Sequence, residues 1–139
     1  VGLAWGSREA TAPATTDTTT TNIGDNYKMG AFTFRLGMGM EEIDGGNEST
    51  KLSGGVQYDF SPTLTGRVSY YNLSVDNSGG TEIGSAKTAV VNVEYSLSKR
   101  TLVYAVFDRK TLDGTLRVVA AGAPDDGATG IAVGITHNF

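Results

Sequence analysis

The stretch Lys51–Phe60, KLSGGVQYDF, alternates with a period of two. Leu52, Gly54, Val56, Tyr58 and Phe60 fall on one face, and Lys51, Ser53, Gly55, Gln57 and Asp59 on the other. Successive side chains of a strand point to opposite sides, so this reads as a β-strand whose two faces meet different surroundings. Ser61-Pro62-Thr63 ends the run, because Pro62 has no N–H to give to a ladder. The next run is LTGRVSYYNLSV. A three-residue turn places Phe60 and Leu64 on one face. Leu64, Gly66, Val68, Tyr70 and Asn72 then join the apolar set, and Thr65, Arg67, Ser69 and Tyr71 the polar set.

Working outward, the pattern repeats. In KTAVVNVEYSL, Ala89, Val91, Val93, Tyr95 and Leu97 alternate with Thr88, Val90, Asn92, Glu94 and Ser96. The short turn Ser98–Arg100 leads into TLVYAVFDRK, Thr101–Lys110, where hydrophobes occupy both faces and the facing stays open. In the closing stretch GIAVGITHNF, Ile131, Val133, Ile135, His137 and Phe139 alternate with Ala132, Gly134, Thr136 and Asn138. Val1–Ala10 reads as a strand and Thr11–Asn26 as a polar, Thr-rich loop. Tyr27–Ile43, YKMGAFTFRLGMGMEEI, is seventeen residues long. A tilted strand crosses a bilayer in about 9–11 residues, so the segment reads as two strands joined near Phe34 and Arg35. The total is eight strands. Longer connections lie near Thr11 and Asp44, at Asn77–Ala86 and at Leu112–Thr129.

Composition narrows the class. Of 139 residues, 39% are hydrophobic and 19% charged, with nineteen glycines and no cysteine. A soluble core uses more apolar residues, and a disordered chain fewer aromatics. No disulfide can hold the fold. The net charge of −4, with no basic cluster, argues against a nucleic-acid partner. No run approaches the ~20 apolar residues of a membrane helix. The chain opens on Val1 in a strand-like run, as if a leader had been removed or the chain were part of a longer one.

Short turns at one rim and long polar connections at the other are the rhythm of an outer-membrane barrel. Phe34, Phe60, Tyr95 and Phe139 fall at strand ends on the short-turn rim, where an aromatic girdle belongs. At these residues the sequence resembles a known family. The end of GGVQYDF, the stretch YSLSKRTLVYA (Tyr95–Ala105) and the terminal VGITHNF resemble the C-terminal half of general Gram-negative porins, from about Tyr27 onward. The resemblance implies residues 1–139 are the C-terminal portion of a single barrel domain, half of an antiparallel 16-stranded transmembrane β-barrel in the bacterial outer membrane. It further implies a homotrimer passing small polar solutes and ions, and makes Phe139 the signal for the barrel-assembly machinery. The other partners implied are the lipid bilayer and lipopolysaccharide.

On this phasing the pore-lining set is Arg35, Glu41, Lys51, Gln57, Asp59, Arg67, Asn92 and Glu94. The lipid-facing or girdle set is Phe60, Val56, Tyr70, Val91, Tyr95, Ile131, Val133 and Ile135. Lumen charges bias which ions pass; Arg67 and Lys51 are the better candidates for attracting anions, opposed by Asp59 and Glu94. No cofactor and no metal site is expected. With one histidine and no cysteine, clusters of those ligands are excluded by count. Asp44-Gly45 and Asp125-Asp126-Gly127 lack calcium-loop spacing and read as turns. Asn47-Glu48-Ser49 and Asn72-Leu73-Ser74 match the glycosylation pattern by chance. A Ser–His–Asp triad would need His137, which points away from the lumen, so no catalytic residue and no enzyme is expected. The alternatives are a closed eight-stranded structural or anchoring barrel without transport, a soluble β-sandwich, and a secreted β-protein.

Overall fold

The computed structural model describes residues 2–8, 17–43, 46–116, 118–120, 123–125 and 127–139. Ten strands form: β1 (Gly2–Arg8), β2 (Thr18–Met29), β3 (Phe32–Ile43), β4 (Glu48–Asp59), β5 (Leu64–Asp76), β6 (Glu82–Ser96), β7 (Thr101–Gly114), β8 (Val118–Ala120), β9 (Ala123–Asp125) and β10 (Gly127–His137). Eight make one antiparallel sheet in the order β1-β2-β3-β4-β5-β6-β7-β10, and β8 and β9 pair as a separate small hairpin. Every strand of the large sheet is bonded to its sequence neighbour, with the β8–β9 hairpin standing in the β7–β10 connection. The two outer strands, β1 and β10, are not paired to each other, so the sheet is not closed. A self-closed eight-stranded barrel is therefore not the architecture of this chain.

Tyr27–Ile43 does hold two strands, but the turn lies at Gly30–Ala31 rather than near Phe34 and Arg35. Gly30 takes φ of +59°, a left-handed conformation open to glycine and strained for side-chain-bearing residues, which is what so short a hairpin needs. Phe34 thus sits inside β3, and Phe32 and Met29 occupy the strand ends. Thr11–Asn26 was expected as loop, yet from Thr18 to Asn26 it is strand, part of β2. Threonine is β-branched, and its χ1 restriction suits a pleated surface whatever its polarity. The expected connection Asn77–Ala86 shrinks to residues 77–81, and β7 reaches Gly114. Asp44 and Asp126 lie outside the described residues, as does Thr11.

The turns at Ser61 and Ser98 share one device. Ser61 Oγ accepts the N–H groups of Thr63 (3.2 Å) and Leu64 (3.0 Å). Ser98 Oγ accepts those of Arg100 (3.2 Å) and Thr101 (3.1 Å). A serine hydroxyl thus satisfies backbone donors that the ladder leaves open.

Register carries a single phase across the sheet. One line of directly opposed residues runs Tyr27, Phe34, Val56, Val68, Val91, Phe107, Ile131. The adjacent line on the other face runs Asn26, Arg35, Gly55, Ser69, Val90, Asp108, Gly130. This settles the open facing of Thr101–Lys110: Val103, Ala105, Phe107 and Arg109 join the apolar side, and Leu102, Tyr104, Val106, Asp108 and Lys110 the polar side. The sheet is one layer with no dry core. No described side chain is fully buried, and Leu36, Ile131 and Val133 are 70%, 79% and 78% exposed. Within the strands, the exposed large hydrophobic side chains lie on the apolar side, with Tyr71 the exception. A soluble sandwich would bury that side against a second sheet; none covers it.

The last apolar residue toward the long-connection rim is Met40 on β3 and Phe107 on β7. The register line of Met40 passes through Thr50, Ser74 and Ser85 to Asp113, so the edge of the apolar band slips six residues over four strands. With ~3.3 Å per residue and ~4.8 Å between strands, this is a slope of about 45°. Strands of outer-membrane barrels tilt by about that much.

Gly30→Val should destabilise the folded chain by about 1–2 kcal/mol, because a β-branched residue resists positive φ. Urea unfolding of the full-length protein in lipid vesicles, followed by the heat-modifiable gel shift, reads this as an earlier midpoint; an unchanged midpoint would contradict the turn geometry.

Candidate functional site: the polar wall

Each expected polar-set residue falls on the side opposite the apolar band. Arg35 faces Gly55, Glu41 faces Ser49, Gln57 faces Arg67, Asp59 faces Thr65, Arg67 faces Asn92, and Lys51 lies between Gly39 and Leu73. Glu94 faces Thr65 on one side and Tyr104 on the other. The apolar-set residues Val56, Tyr70, Val91, Tyr95, Ile131, Val133 and Ile135 share the other side, and Phe60 continues their phase just past the end of β4.

The residues nearest the short-turn rim form a cross-strand network. Both terminal nitrogens of Arg35 donate to Gln57 Oε1, at 3.2 Å each. Arg67 Nε donates to the same oxygen at 2.9 Å. Arg67 Nη1 and Nη2 then reach Glu94 Oε1 (2.8 Å) and Oε2 (3.3 Å), a fork on a carboxylate. Gln57 Nε2 donates to Asp59 Oδ1 (2.9 Å), which also accepts from Thr65 Oγ1 (3.2 Å). The chain of bonds crosses four strands, β3 to β6. A neutral amide oxygen bridges two guanidinium groups that would otherwise repel.

The two arginines end in different electrostatic states. Arg67 has a carboxylate partner, with side chains 35% and 24% exposed for Arg67 and Glu94. Arg35 is exposed and donates only to a neutral acceptor in this network, so its charge stands open. Asn92 lies beside Arg67 in register and outside this network of bonds. Further toward the other rim, Lys51 and Lys110 flank Tyr71 and Thr88 around a hollow of about 340 Å³. A second hollow, of about 550 Å³, fronts Arg35, Arg67, Ser53, Gly55, Ser69 and Tyr71.

Lys110, Asp108 and Tyr104 belong to this wall and escaped sequence reasoning, because Leu102 and Val106 make the polar side of β7 half apolar. The signal was present in the turn. Tyr95 pairs with Val103, so carrying the phase across residues 97–100 assigns the strand. Counting described side chains, the wall holds Lys28, Arg35, Lys51, Arg67 and Lys110 against Glu41, Asp59, Glu94 and Asp108, five cations to four carboxylates. Elsewhere, His137 shares the apolar phase; its Nδ1 lies 2.8 Å from Thr101 Oγ1 and its ring meets Phe139 edge-on at 4.9 Å. Near the short turns the Tyr58 ring lies tilted against Phe32 at 4.6 Å and edge-on to Phe60 at 4.8 Å. Among the described residues no three His, Asp or Glu side chains gather as a metal site.

A single antiparallel sheet, apolar on one side and polar on the other, with both sides open, is the wall of a transmembrane β-barrel. A family model described as Gram-negative porin matches residues 1–115. This chain belongs to that family, and its place is the bacterial outer membrane. The family match starts before Tyr27, where the resemblance in the sequence began, and ends before β10. Solved structures agree in fold. Outer-membrane expressed OmpT of Vibrio cholerae superposes with a TM-score of 0.71 at 12% identity, over 88% of this chain and 41% of that one. In-vitro folded OmpT of Vibrio cholerae gives 0.70 at 11%, over 95% and 46%. Its loop L8 deletion mutant gives 0.67 at 14%, over 95% and 43%. The chain thus spans less than half the length of these barrels. Comparison with curated proteins returned no match.

A double-mutant cycle on Arg67→Ala and Glu94→Ala in the full-length barrel should give a coupling of about 0.2–1 kcal/mol, since solvent screens a half-exposed pair. Arg35→Ala with Glu94→Ala, linked only through Gln57 and Arg67, should couple more weakly than the direct pair, read from the same unfolding midpoints.

Proposed function

We propose that the complete barrel, to which this chain contributes a wall, is a passive water-filled pore for small hydrophilic solutes and ions. In this reading the barrel has about sixteen strands, and residues 1–139 are the C-terminal portion of its one domain. The polar side of the sheet faces the lumen and the apolar side faces lipid. Ile131, Val133 and Ile135 are then lipid-facing, and Phe139 carries the signal for the assembly machinery. Trimerisation is proposed on family membership alone.

The observation that carries the reading is the polar wall itself. Its charged side chains hold one another across four strands, while Ser53, Gly55 and Ser69 beside them leave the space in front open. A narrow barrel fills its interior with side chains; at this level of the wall Ser53, Gly55 and Ser69 are too small to do so. Transport then follows size exclusion and the field of the wall charges, with no chemical step. The proposal includes no catalysis: the lone histidine, His137, sits on the lipid side of the sheet.

Ion preference should respond to Arg35 more than to Arg67. The Arg35 charge stands open, whereas removing Arg67 releases Glu94 and changes two charges. In planar bilayers the full-length protein should show stable ohmic steps. Arg35→Gln should lower the anion-to-cation permeability ratio from reversal potentials in a salt gradient, and Glu94→Gln should raise it. A protein that inserts without conducting would end the pore reading; one that conducts with an unmoved ratio would remove these charges from the permeation path.

A further inference from the structure

The polar side of the sheet carries an apolar island. Two successive register lines of this side run Lys51, Leu73, Ala86, Leu112 and Ser53, Tyr71, Thr88, Lys110 across β4 to β7. Tyr71 and Leu73 are thus consecutive residues of this side on β5. Tyr71 is the exposed large hydrophobic side chain that departs from the apolar side, and 49% of it meets solvent. Above it lies the hollow of about 340 Å³, within the range of ~300–1,000 Å³ usual for small-molecule sites. Lys51 bounds the hollow on β4 and Lys110 on β7, and among the described residues no carboxylate lines it. Both lysines are exposed, and neither forms an ion pair among the described residues. The nearest carboxylates of this side are turned elsewhere. Asp108, two residues from Lys110, lies over Gly130 of β10. Glu41, a diagonal step from Lys51, stands opposite Ser49 nearer the rim.

We propose that this island is a capture site for small aromatic carboxylates, with the ring against Tyr71 and Leu73 and the carboxylate held by Lys51, Lys110 and the Thr88 hydroxyl. The proposal rests on the pore reading and names a solute class for it. The chemistry of the site selects this occupant. A ring laid on Tyr71 and Leu73 removes apolar surface from water, and an offset or edge-on contact with the tyrosine adds to that gain. Two ammonium groups without carboxylate partners attract an anionic group, and charge-assisted hydrogen bonds hold it. A bare inorganic anion uses the lysines and leaves the island wet. A neutral ring covers the island and leaves the lysines unmatched. A flat organic acid satisfies both. The island lies between the arginine network and the long connections, which mark the extracellular rim, so an entering solute meets it before Arg35 and Arg67.

The test uses the full-length protein in planar bilayers bathed in potassium chloride, with benzoate, acetate or benzamide added to both sides. Benzoate should block the single-channel current saturably, at lower concentration than acetate, which lacks the ring, or benzamide, which lacks the charge. Tyr71→Ser should raise the half-blocking benzoate concentration about fivefold. Lys51→Gln with Lys110→Gln should raise it about tenfold, from about threefold for each lysine. Tyr71→Phe should keep the wild-type block, because the ring face makes the contact, and Leu73→Asn serves in place of Tyr71→Ser if that variant does not fold. Equal block by benzoate and acetate would reduce the site to a bare anion site and overturn the proposal. Equal block by benzamide, or a block that the Tyr71 and lysine variants leave unmoved, would overturn it too. An inserted barrel that carries no current would sink the pore reading and this site with it. A conducting pore that benzoate leaves unblocked would sink this site alone, and an earlier urea midpoint of Tyr71→Ser would then assign the island to a segment of the barrel packed on it.

Discussion

Hydrocarbon offers no partner to a peptide N–H or C=O, and that constraint organises the chain. Each strand must find its hydrogen bonds in its neighbours, so the backbone runs as an unbroken up-and-down meander from β1 to β7 and on to β10. Because antiparallel pairing places residues directly opposite one another, the face set by the first hairpin is transmitted to every later strand. A single register error would put arginines on the apolar side and phenylalanines on the polar one. The same rule makes the edges of β1 and β10 informative: each is left without a second strand partner in the sheet.

With no interior to bury, this sheet spends its apolar residues on one outer side and leaves the other to polar groups. That division explains the low hydrophobic content better than weak folding does. It also shapes the wall chemistry. Arg35, Gln57, Arg67 and Glu94 sit on four different strands, yet they bond in sequence because the strands present them at neighbouring levels. The glutamine oxygen is the pivot, holding one arginine whose charge is matched and one whose charge is not.

The 45° slope of the apolar band links the two sides. Strands tilted to the membrane normal bring residues of different register to a common depth, so Met40 on β3 and Phe107 on β7 mark the same boundary. Lys87 and Arg109 stand just beyond that boundary, although the register line from Met40 passes above them, through Ser85 and Asp113.

Alternation in Lys51–Phe60 and its neighbours was enough to mark most of the strands and the two-faced sheet, because a period of two is a local property of the backbone; the Thr-rich start of β2 carries no such alternation. Polar facing of Arg35, Gln57, Arg67 and Glu94 was legible for the same reason. Three matters were decided only by tertiary structure. The turn at Gly30–Ala31 depended on a left-handed φ that a lone glycine does not announce. The facing of Thr101–Lys110 depended on its pairing with Tyr95 and Val93, since its own pattern carries hydrophobes on both sides. The pairing of charges, Arg67 with Glu94 but Arg35 with neutral Gln57, depended on which strands lie adjacent, and adjacency is a relation between distant parts of the chain that no local pattern contains.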